Sequence, residues 1–386
     1  MTDGPGPIGG AFTIRSSSRR ILGYMGTRTA RLAVILALAG GACVTAACSG
    51  PAASVARPAP APSRTAAPSP RARPVSARPV SASPVSASPA PQVTMPVPGR
   101  PLPAPAALVP FGTPGTSGTW RPAGRPVGGV RVIYETTLIP PGGSQQAGIA
   151  WLDTGLLSAR LYSGSVSPGG GPYRYTAPVA PAQAATLVAA FNGGFKMNEA
   201  RGGYYTEGRL IDPLRAGAAS LVIYADGSVD IGAWGSDVTM TPQVVSVRQN
   251  LLPLVAGGRP TPQAASRRWR AWGSTCGATS CLATVPGIEH QWRSGLGITA
   301  DGALVYAAGP ALDPLQLAQL LVRAGAVRGM QLDINPNWPV FVAYDPPAGA
   351  PAGPANGSKL LPETAQGPST FFLATWARDF ITMSAR

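Results

Sequence analysis

Two stretches, far apart in the chain, hold side chains whose types and spacing could do chemistry. In the first, Ala189 to Ile211 (AAFNGGFKMNEARGGYYTEGRLI), an apolar run from Leu187 to Phe191 stops at Asn192-Gly193-Gly194. The run reads as a buried strand, and the residues after it as a turn made of types that tolerate positive φ. Consecutive glycines let backbone N–H groups converge into a nest for an anion, or let a ligand approach the main chain closely. Lys196, Asn198, Glu199, Arg201, Tyr204, Tyr205, Glu207 and Arg209 crowd behind the turn, interrupted by Gly202-Gly203. The same residues also suit a tight turn followed by a solvated loop. The second stretch is Arg328 to Trp338, RGMQLDINPNW. Asp333 ends the buried-strand run of Met330-Gln331-Leu332 and precedes the turn formers Asn335-Pro336-Asn337, where a carboxylate either faces a crevice or closes an Asx turn.

Other chemistries find less support. His290, the one histidine, stands beside Glu289 and before Gln291-Trp292, but no G-x-S-x-G elbow accompanies it, which weighs against a serine hydrolase. Phosphate-loop, dinucleotide, EF-hand and zinc motifs are absent from the sequence. No cofactor is implied, while a carboxylate-bound divalent ion stays open. Cys276 and Cys281 are a close pair without C-x-x-C redox spacing, and one histidine leaves too few ligands for zinc. Outside the cytoplasm a disulfide is the default for such a pair, and closing so short a loop is worth about 2 kcal/mol at most.

The elements that must position these residues lie between residues 106 and 386. Short strands punctuated by glycine turns are predicted at Val130–Tyr134, Gly148–Leu152, Ala159–Tyr162, Pro339–Tyr344 and Thr370–Trp376. Asp226-Gly227 and Asp301-Gly302 each separate two strand-like runs, the signature of hairpins with primed turns. Thr241-Pro242 and Asp313-Pro314 each read as a capped helix start; the second helix, Leu315–Ala324, is closed by Gly325 and leads to the strand carrying Asp333. The expected fold class is α+β: a single strand-rich domain with a mixed sheet and a few helices. No twenty-residue apolar span occurs in this part, and the reading is of a soluble domain.

Ahead of it the composition changes twice. Residues 1–48 form an arginine-bearing arm followed by the uncharged run Leu32–Ala47, the n-region and h-region of an export signal. The run ends at Thr45-Ala46-Ala47-Cys48, similar to a bacterial lipobox, so that Cys48 is the candidate lipidation site. Uncleaved, the same run would serve as a tilted N-terminal anchor. Either way the arginines stay on the cytoplasmic side and the remainder is exported. Residues 49–105 are a disordered linker rich in Pro, Ala and Ser, with the repeats Pro74–Arg78, Pro79–Ser83 and Pro84–Ser88. Residues 1–100 carry eleven arginines against one acidic residue, which is +10 of the chain's formal +15. The basicity therefore belongs to the anchor and linker, which suit anionic wall polymers or lipid heads, and it does not point to nucleic acid.

Three pieces stand in a recognisable order: Ala190-Phe191-Asn192-Gly193-Gly194-Phe195; Arg293-Ser294-Gly295-Leu296-Gly297-Ile298 before Asp301-Gly302; and the helix-to-strand unit ending in Leu332-Asp333. This order resembles the phosphodiester glycosidase family (the N-acetylglucosamine-1-phosphodiester alpha-N-acetylglucosaminidase-like domains) over residues 125–385. Members share an NGGFF-like turn, an R-x-x-x-G strand before a D-G hairpin, and a helix leading to LDGGGS. Here Phe195 matches the first aromatic and Lys196 replaces the second; Asp333 matches, but Ile334-Asn335-Pro336-Asn337 replaces the glycines and serine.

The resemblance implies hydrolysis of a sugar-1-phosphodiester, in which the bond to the anomeric carbon breaks and a phosphomonoester leaves. Asp333 is then the first candidate for nucleophile or base, and Glu207 the second carboxylate, with Asp212 behind it. Asn192, Gly193, Gly194 and Arg293 would bind the phosphate, Arg293 through its planar fork. Asn335 and Tyr205 join the substrate-binding set, with Tyr204 and Trp338 as further rings to stack on a sugar. The implied partners are a phosphosugar or glycan substrate and a membrane. The altered last motif equally suits a non-catalytic carbohydrate-binding protein or a structural envelope protein on the same fold.

Overall fold

The computed structural model describes residues 91–112, 118–266 and 290–386. Cys48, Cys276 and Cys281 lie outside them, as do the export segment and the linker up to residue 90. Among the described residues no helix is long and apolar enough to cross a membrane.

Alternating apolar residues give each main sheet two buried faces. The largest has eight strands, in the order Arg121–Ala123, Ile133–Leu138, Ala147–Leu152, Leu304–Leu312, Gln291–Thr299, Ala326–Gln331, Val255–Ala256 and Arg259–Pro260. Along it Ala150, Leu152, Leu304, Tyr306 and Met330 point into the central core, while Ile149, Trp151, Val305 and Ala307 point the other way, onto the helix Pro314–Arg323. A second sheet of five strands runs Arg209–Asp212, Tyr204–Thr206, Val244–Gln249, Ala219–Tyr224 and Val229–Ala233. The third, also of five, runs Gly357–Lys359, Phe341–Tyr344, Leu187–Asn192, Phe380–Ala385 and Leu157–Tyr162. Leu221 and Ile231 from the second sheet, and Phe191, Phe341 and Ile381 from the third, fill the same central core, so the three sheets close on one apolar interior.

Every strand pair in these sheets is antiparallel, which corrects the α+β expectation and its mixed sheet. Short turns join many successive strands, and a short turn can only reverse the chain; a parallel pair needs a long crossover. Helices are few among the described residues. Pro314–Arg323 has ten residues, and the α-helical turns Pro181–Ala184, Met197–Ala200 and Pro262–Ala265 have four each. The ten-residue helix starts as expected, with Asp313 accepting from the Gln316 backbone N–H at 2.8 Å and the Gln316 side chain accepting from Asp313 N–H at 3.0 Å.

Two local expectations fail. No helix begins at Thr241-Pro242: these residues turn directly into the Val244–Gln249 strand, whose valines favour the pleated surface over a helix. Nor is Thr370–Trp376 a strand. It is a 3₁₀ turn and loop that plugs the outer face of the third sheet with Phe371 and Trp376, while the unforeseen strand Phe380–Ala385 lies inside that sheet, between Leu187–Asn192 and Leu157–Tyr162. Some residues grouped by composition with the linker lie against the domain: Thr94 donates to Ala300 at 2.8 Å, Gly99 to Gly155 at 2.8 Å and Leu102 to Asp153 at 3.0 Å.

Gly325 ends the long helix with φ +94°, a left-handed conformation that costs an L-residue roughly 1–2 kcal/mol. Gly325→Ala is therefore expected to lower the denaturation free energy by about that amount, read from urea titration; an unchanged midpoint would show that the cap does not need glycine.

Candidate functional site

The Asn192-Gly193-Gly194 turn ends a central strand of the third sheet, and its geometry differs from the expectation. Neither glycine has left-handed φ. Both are required for room: a Cβ on Gly193 would lie 2.1 Å from Asp379 Oδ2, and one on Gly194 would lie 2.8 Å from Asn250 Oδ1 and 2.9 Å from Arg248 Nη2. Gly193 N–H donates to the Asp379 carbonyl at 2.9 Å, so this N–H is used within the protein and is not offered to an anion. Asn192 is buried and fully engaged. Its Nδ2 donates to Ser294 Oγ at 3.0 Å and to the Gly193 carbonyl at 2.9 Å, while its Oδ1 accepts from Tyr306 at 2.8 Å and from Val340 N–H at 3.0 Å.

Ser294 carries the connection to Asp333. Its main chain pairs with the second stretch, Ser294 N–H donating to the Asp333 carbonyl at 2.8 Å, and its Oγ accepts from Asp333 N–H at 3.1 Å. Asn192, Ser294 and Asp333 thus form one hydrogen-bonded unit across two sheets. Asp333 is 3% exposed. Oδ1 accepts from Ile334 N–H at 2.8 Å and Asn335 N–H at 3.0 Å, closing the Asx turn, and Oδ2 accepts from Arg378 Nη2 at 2.8 Å. Burial pushes its pKa up to about 6, with nearby Asp379 acting in the same direction, against the opposing pull of Arg378 and the two N–H groups.

A second ion pair lies beside the first. Asp379 is fully buried and accepts from Arg248 Nε at 2.7 Å and Nη2 at 3.3 Å. Arg248 also donates to the carbonyls of Gln249 and Phe195, and Arg378 donates to the carbonyl of Gly194 at 2.6 Å. Asn250 completes the frame, accepting from Phe195 N–H at 3.0 Å and donating to the carbonyls of Gln331 at 2.8 Å and Leu332 at 2.9 Å. The two arginines therefore hold both the Gly-Gly turn and the two carboxylates.

The other predicted residues are distributed around this group. Arg293 is fully buried, with Nε donating to the Leu312 carbonyl at 2.6 Å and Nη1 to Gln331 Oε1 at 3.3 Å. Asn335 is exposed above the Asx turn, and half-buried Trp338 lies with its ring under the Arg378 guanidinium at 5.0 Å. Tyr204 is buried, bonded to Ser163 at 3.0 Å. Glu207 and Tyr205 line a separate cleft of about 660 Å³ that includes neither Asn192 nor Asp333. There the Glu207 carboxylate accepts from the N–H groups of Arg174 at 3.0 Å and Tyr175 at 2.9 Å. Asp212 is half-buried, paired opposite Tyr204 in the second sheet. The candidate centre is Asp333 and not this cleft, because buried charge is concentrated around Asp333. Among the described residues no three His, Cys, Asp or Glu side chains group so as to hold a metal ion.

Sequence reasoning missed Arg248, Ser294, Arg378 and Asp379. A signal existed: Arg378-Asp379 interrupts the largely apolar C-terminal segment, and Arg248-Gln249-Asn250 ends a run rich in β-branched residues.

No protein-family model matches the chain, and no curated protein does. Among solved structures, the catalytic domain of zebrafish N-acetylglucosamine-1-phosphodiester alpha-N-acetylglucosaminidase, auto-inhibited by its pro-peptide, is similar at 14% identity with a TM-score of 0.39, over 69% of this chain and 88% of that one. A hypothetical protein from Synechocystis is similar at 11% identity and TM-score 0.39, over 67% of this chain and 63% of that one. An exported-protein candidate from Burkholderia pseudomallei is similar at 10% identity and TM-score 0.28, over 62% and 74%. Likeness of this degree says nothing of activity.

Breaking one half of a buried ion pair strands the other half, at a cost of about 3–5 kcal/mol. Asp379→Leu is expected to lose stability in that range by urea denaturation, whereas the double variant Arg248→Met/Asp379→Leu should recover most of it. A single variant within about 1 kcal/mol of wild type would show that Arg248 is not held by this pair.

Proposed function

We propose that the chain is an exported hydrolase of sugar-1-phosphodiesters, tethered to a membrane through its N-terminal segment. The observation carrying this reading is Asp333: its carboxyl is buried just past the end of a strand and paired with Arg378, which also bonds the Gly194 carbonyl, and its backbone N–H is bonded to Ser294, which accepts from Asn192. The export segment of the sequence supports the location.

In this reading the ionised Asp333 accepts a proton from water as the water oxygen attacks the anomeric carbon. The bond from that carbon to the phosphate oxygen breaks, and its electron pair leaves with the phosphomonoester. The sugar is released as a free hemiacetal. A phosphomonoester is a good leaving group, so the reaction needs little acid assistance, in keeping with Glu207 lying in the other cleft. Arg378 offsets negative charge beside the reacting carbon, and the two N–H groups on Oδ1 fix the carboxylate plane.

A base must be ionised to act. With the Asp333 pKa at about 6, kcat/KM is expected to rise with pH through about 6 and then level. Asp333→Asn should fold, lose that limb, and lower turnover of sugar-1-phosphodiesters by about 10²- to 10⁴-fold, measured as reducing sugar and phosphomonoester released. Full activity in Asp333→Asn refutes its role. A second reading, a non-catalytic carbohydrate-binding protein, is favoured by one observation: both Asp333 oxygens are already bonded within the protein. Sugar binding without turnover by the wild type across a broad panel would select it.

A further inference from the structure

The cleft of about 660 Å³ that holds Glu207 and Tyr205 is set apart from Asp333, and the strand Leu157–Tyr162 runs along it as the outermost strand of the third sheet. An outer strand has one edge bonded to its neighbour and one edge whose main-chain groups need other partners. In an antiparallel pair these groups alternate in direction, residue by residue. Here Ala159 N–H donates to the Gly227 carbonyl at 2.8 Å and Ser163 N–H to the Tyr175 carbonyl at 2.9 Å, so these two residues face away from Phe380–Ala385. Leu161 lies midway between them in the same register, opposite Ile381. Its N–H and C=O therefore point out from the sheet edge, and among the described residues neither has a protein partner.

Main-chain groups screened from bulk water are almost always paired, and Leu161 is 2% exposed. The cleft supplies the room for a partner, since Ala159, Arg160 and Leu161 all line it. Its volume falls within the roughly 300–1,000 Å³ of clefts that hold ligands. The edge already pairs with other chain at both ends of the gap, with Gly227 at one and, at the other, through a parallel bridge from Ser163 to Thr176. An extended segment lying between them continues that pairing. Side chains on an added strand alternate between two faces. One face meets Val244 and Ile223, which shares the central core with Leu161. The other meets Arg160, whose guanidinium lies over the Tyr175 ring at 4.0 Å. No carboxylate among the described residues pairs with Arg160. The two carboxylates of the lining have other partners: Glu207 accepts from the N–H groups of Arg174 and Tyr175, and Asp226 from Ser228.

We propose that this cleft binds an extended peptide, which adds a short strand to the edge of Leu157–Tyr162 through the N–H and C=O of Leu161 and sets acidic side chains beside Arg160. The main-chain bonds supply affinity independent of sequence, and the alternate side chains select the partner. The peptide residue opposite Leu161 is apolar, toward Ile223, and its neighbours are acidic, on the Arg160 side. Gly227 and Tyr175 close the window at its two ends. Ala159 and Ser163 stand about 13 Å apart along a strand, so the added piece is about three residues long. A glycan lacks the repeating main-chain N–H and C=O pairs of a strand. The proposal stands apart from the hydrolase reading, because Asp333 does not line this cleft.

The test uses the full chain in detergent and three acetylated, amidated peptides: Thr-Glu-Val-Glu-Thr, its lysine counterpart Thr-Lys-Val-Lys-Thr, and the first peptide N-methylated at its valine. Binding is read by calorimetry and by the Leu161 amide resonance, assigned by isotope labelling of leucine and comparison with Leu161→Met. The glutamate peptide is expected to move that resonance and to slow its hydrogen exchange. The lysine peptide loses the charge pair and the N-methylated peptide a main-chain bond, so each should bind about tenfold or more weakly. Arg160→Gln, at an exposed position, should abolish the preference for glutamate over lysine while the Leu161 amide still moves. Equal affinity of the wild type for the glutamate peptide and either control, or a Leu161 amide unmoved by all three at millimolar concentration, overturns the added strand. Chitohexaose moving that amide where the peptides do not assigns the cleft to a glycan and overturns it as well. Because these outcomes are read in the wild type, misfolding of a variant does not blur them.

Discussion

Two buried arginine–aspartate pairs sit where the three sheets meet, and the candidate site depends on them. Arg248 comes from the second sheet, Asp379 from the residue before the last strand of the third, and Asp333 from the end of a strand in the first. Each charge is removed from water, which costs several kcal/mol per ion before any pairing is counted. Apolar side chains of similar volume would hold the same sheets together at least as well. Their presence is thus better explained by what they position than by the stability they add. They fix the Gly-Gly turn from one side and the Asp333 carboxylate from the other.

This constraint explains features that look unrelated along the chain. Gly193 and Gly194 are required because Asp379 and Arg248 occupy the volume of their absent side chains. Asn192 must be an amide, since it donates to Ser294 with one end while accepting from Tyr306 and Val340 with the other. Ser294 in turn meets the backbone of Asp333. A single polar path runs from the third sheet into the first, beside the two ion pairs, and every link in it is shielded from solvent. Shielding strengthens each electrostatic interaction and keeps Asp333 reluctant to ionise, which is the property asked of a carboxyl that exchanges protons near neutrality.

Much of the framework was legible because it is local. Apolar runs at Leu187–Phe191 and Met330–Leu332 marked the strands Leu187–Asn192 and, at its end, Ala326–Gln331, and Asp313-Pro314 marked the start of the ten-residue helix. Asp333 was legible for the same reason, as a carboxylate between a buried strand and a turn-forming loop. The site's electrostatics were not. Arg248 and Asp379 are 131 residues apart, and Arg378 and Asp333 are 45 apart, so no local pattern reveals either pair. Nor was the setting of Arg293 legible: its type and place suggested phosphate binding, and its guanidinium is fully buried, meeting the carbonyl of Leu312 and the side chain of Gln331. The apolar run at Thr370–Trp376 misled differently, since composition alone does not separate a strand from a loop that plugs a core.

The proposed chemistry requires a carboxyl whose proton is exchangeable near neutral pH, and Asp333, held by Arg378, is the carboxyl it would use. The direct measurement is the carboxyl carbon resonance of Asp333, assigned by comparison with Asp333→Asn and followed across pH with and without dimethyl phosphate. A midpoint near 6 in the free protein, moving upward when the anion binds beside it, is the predicted result. A carboxyl titrating near the ordinary aspartate value of about 3.9 and indifferent to the anion would contradict the account.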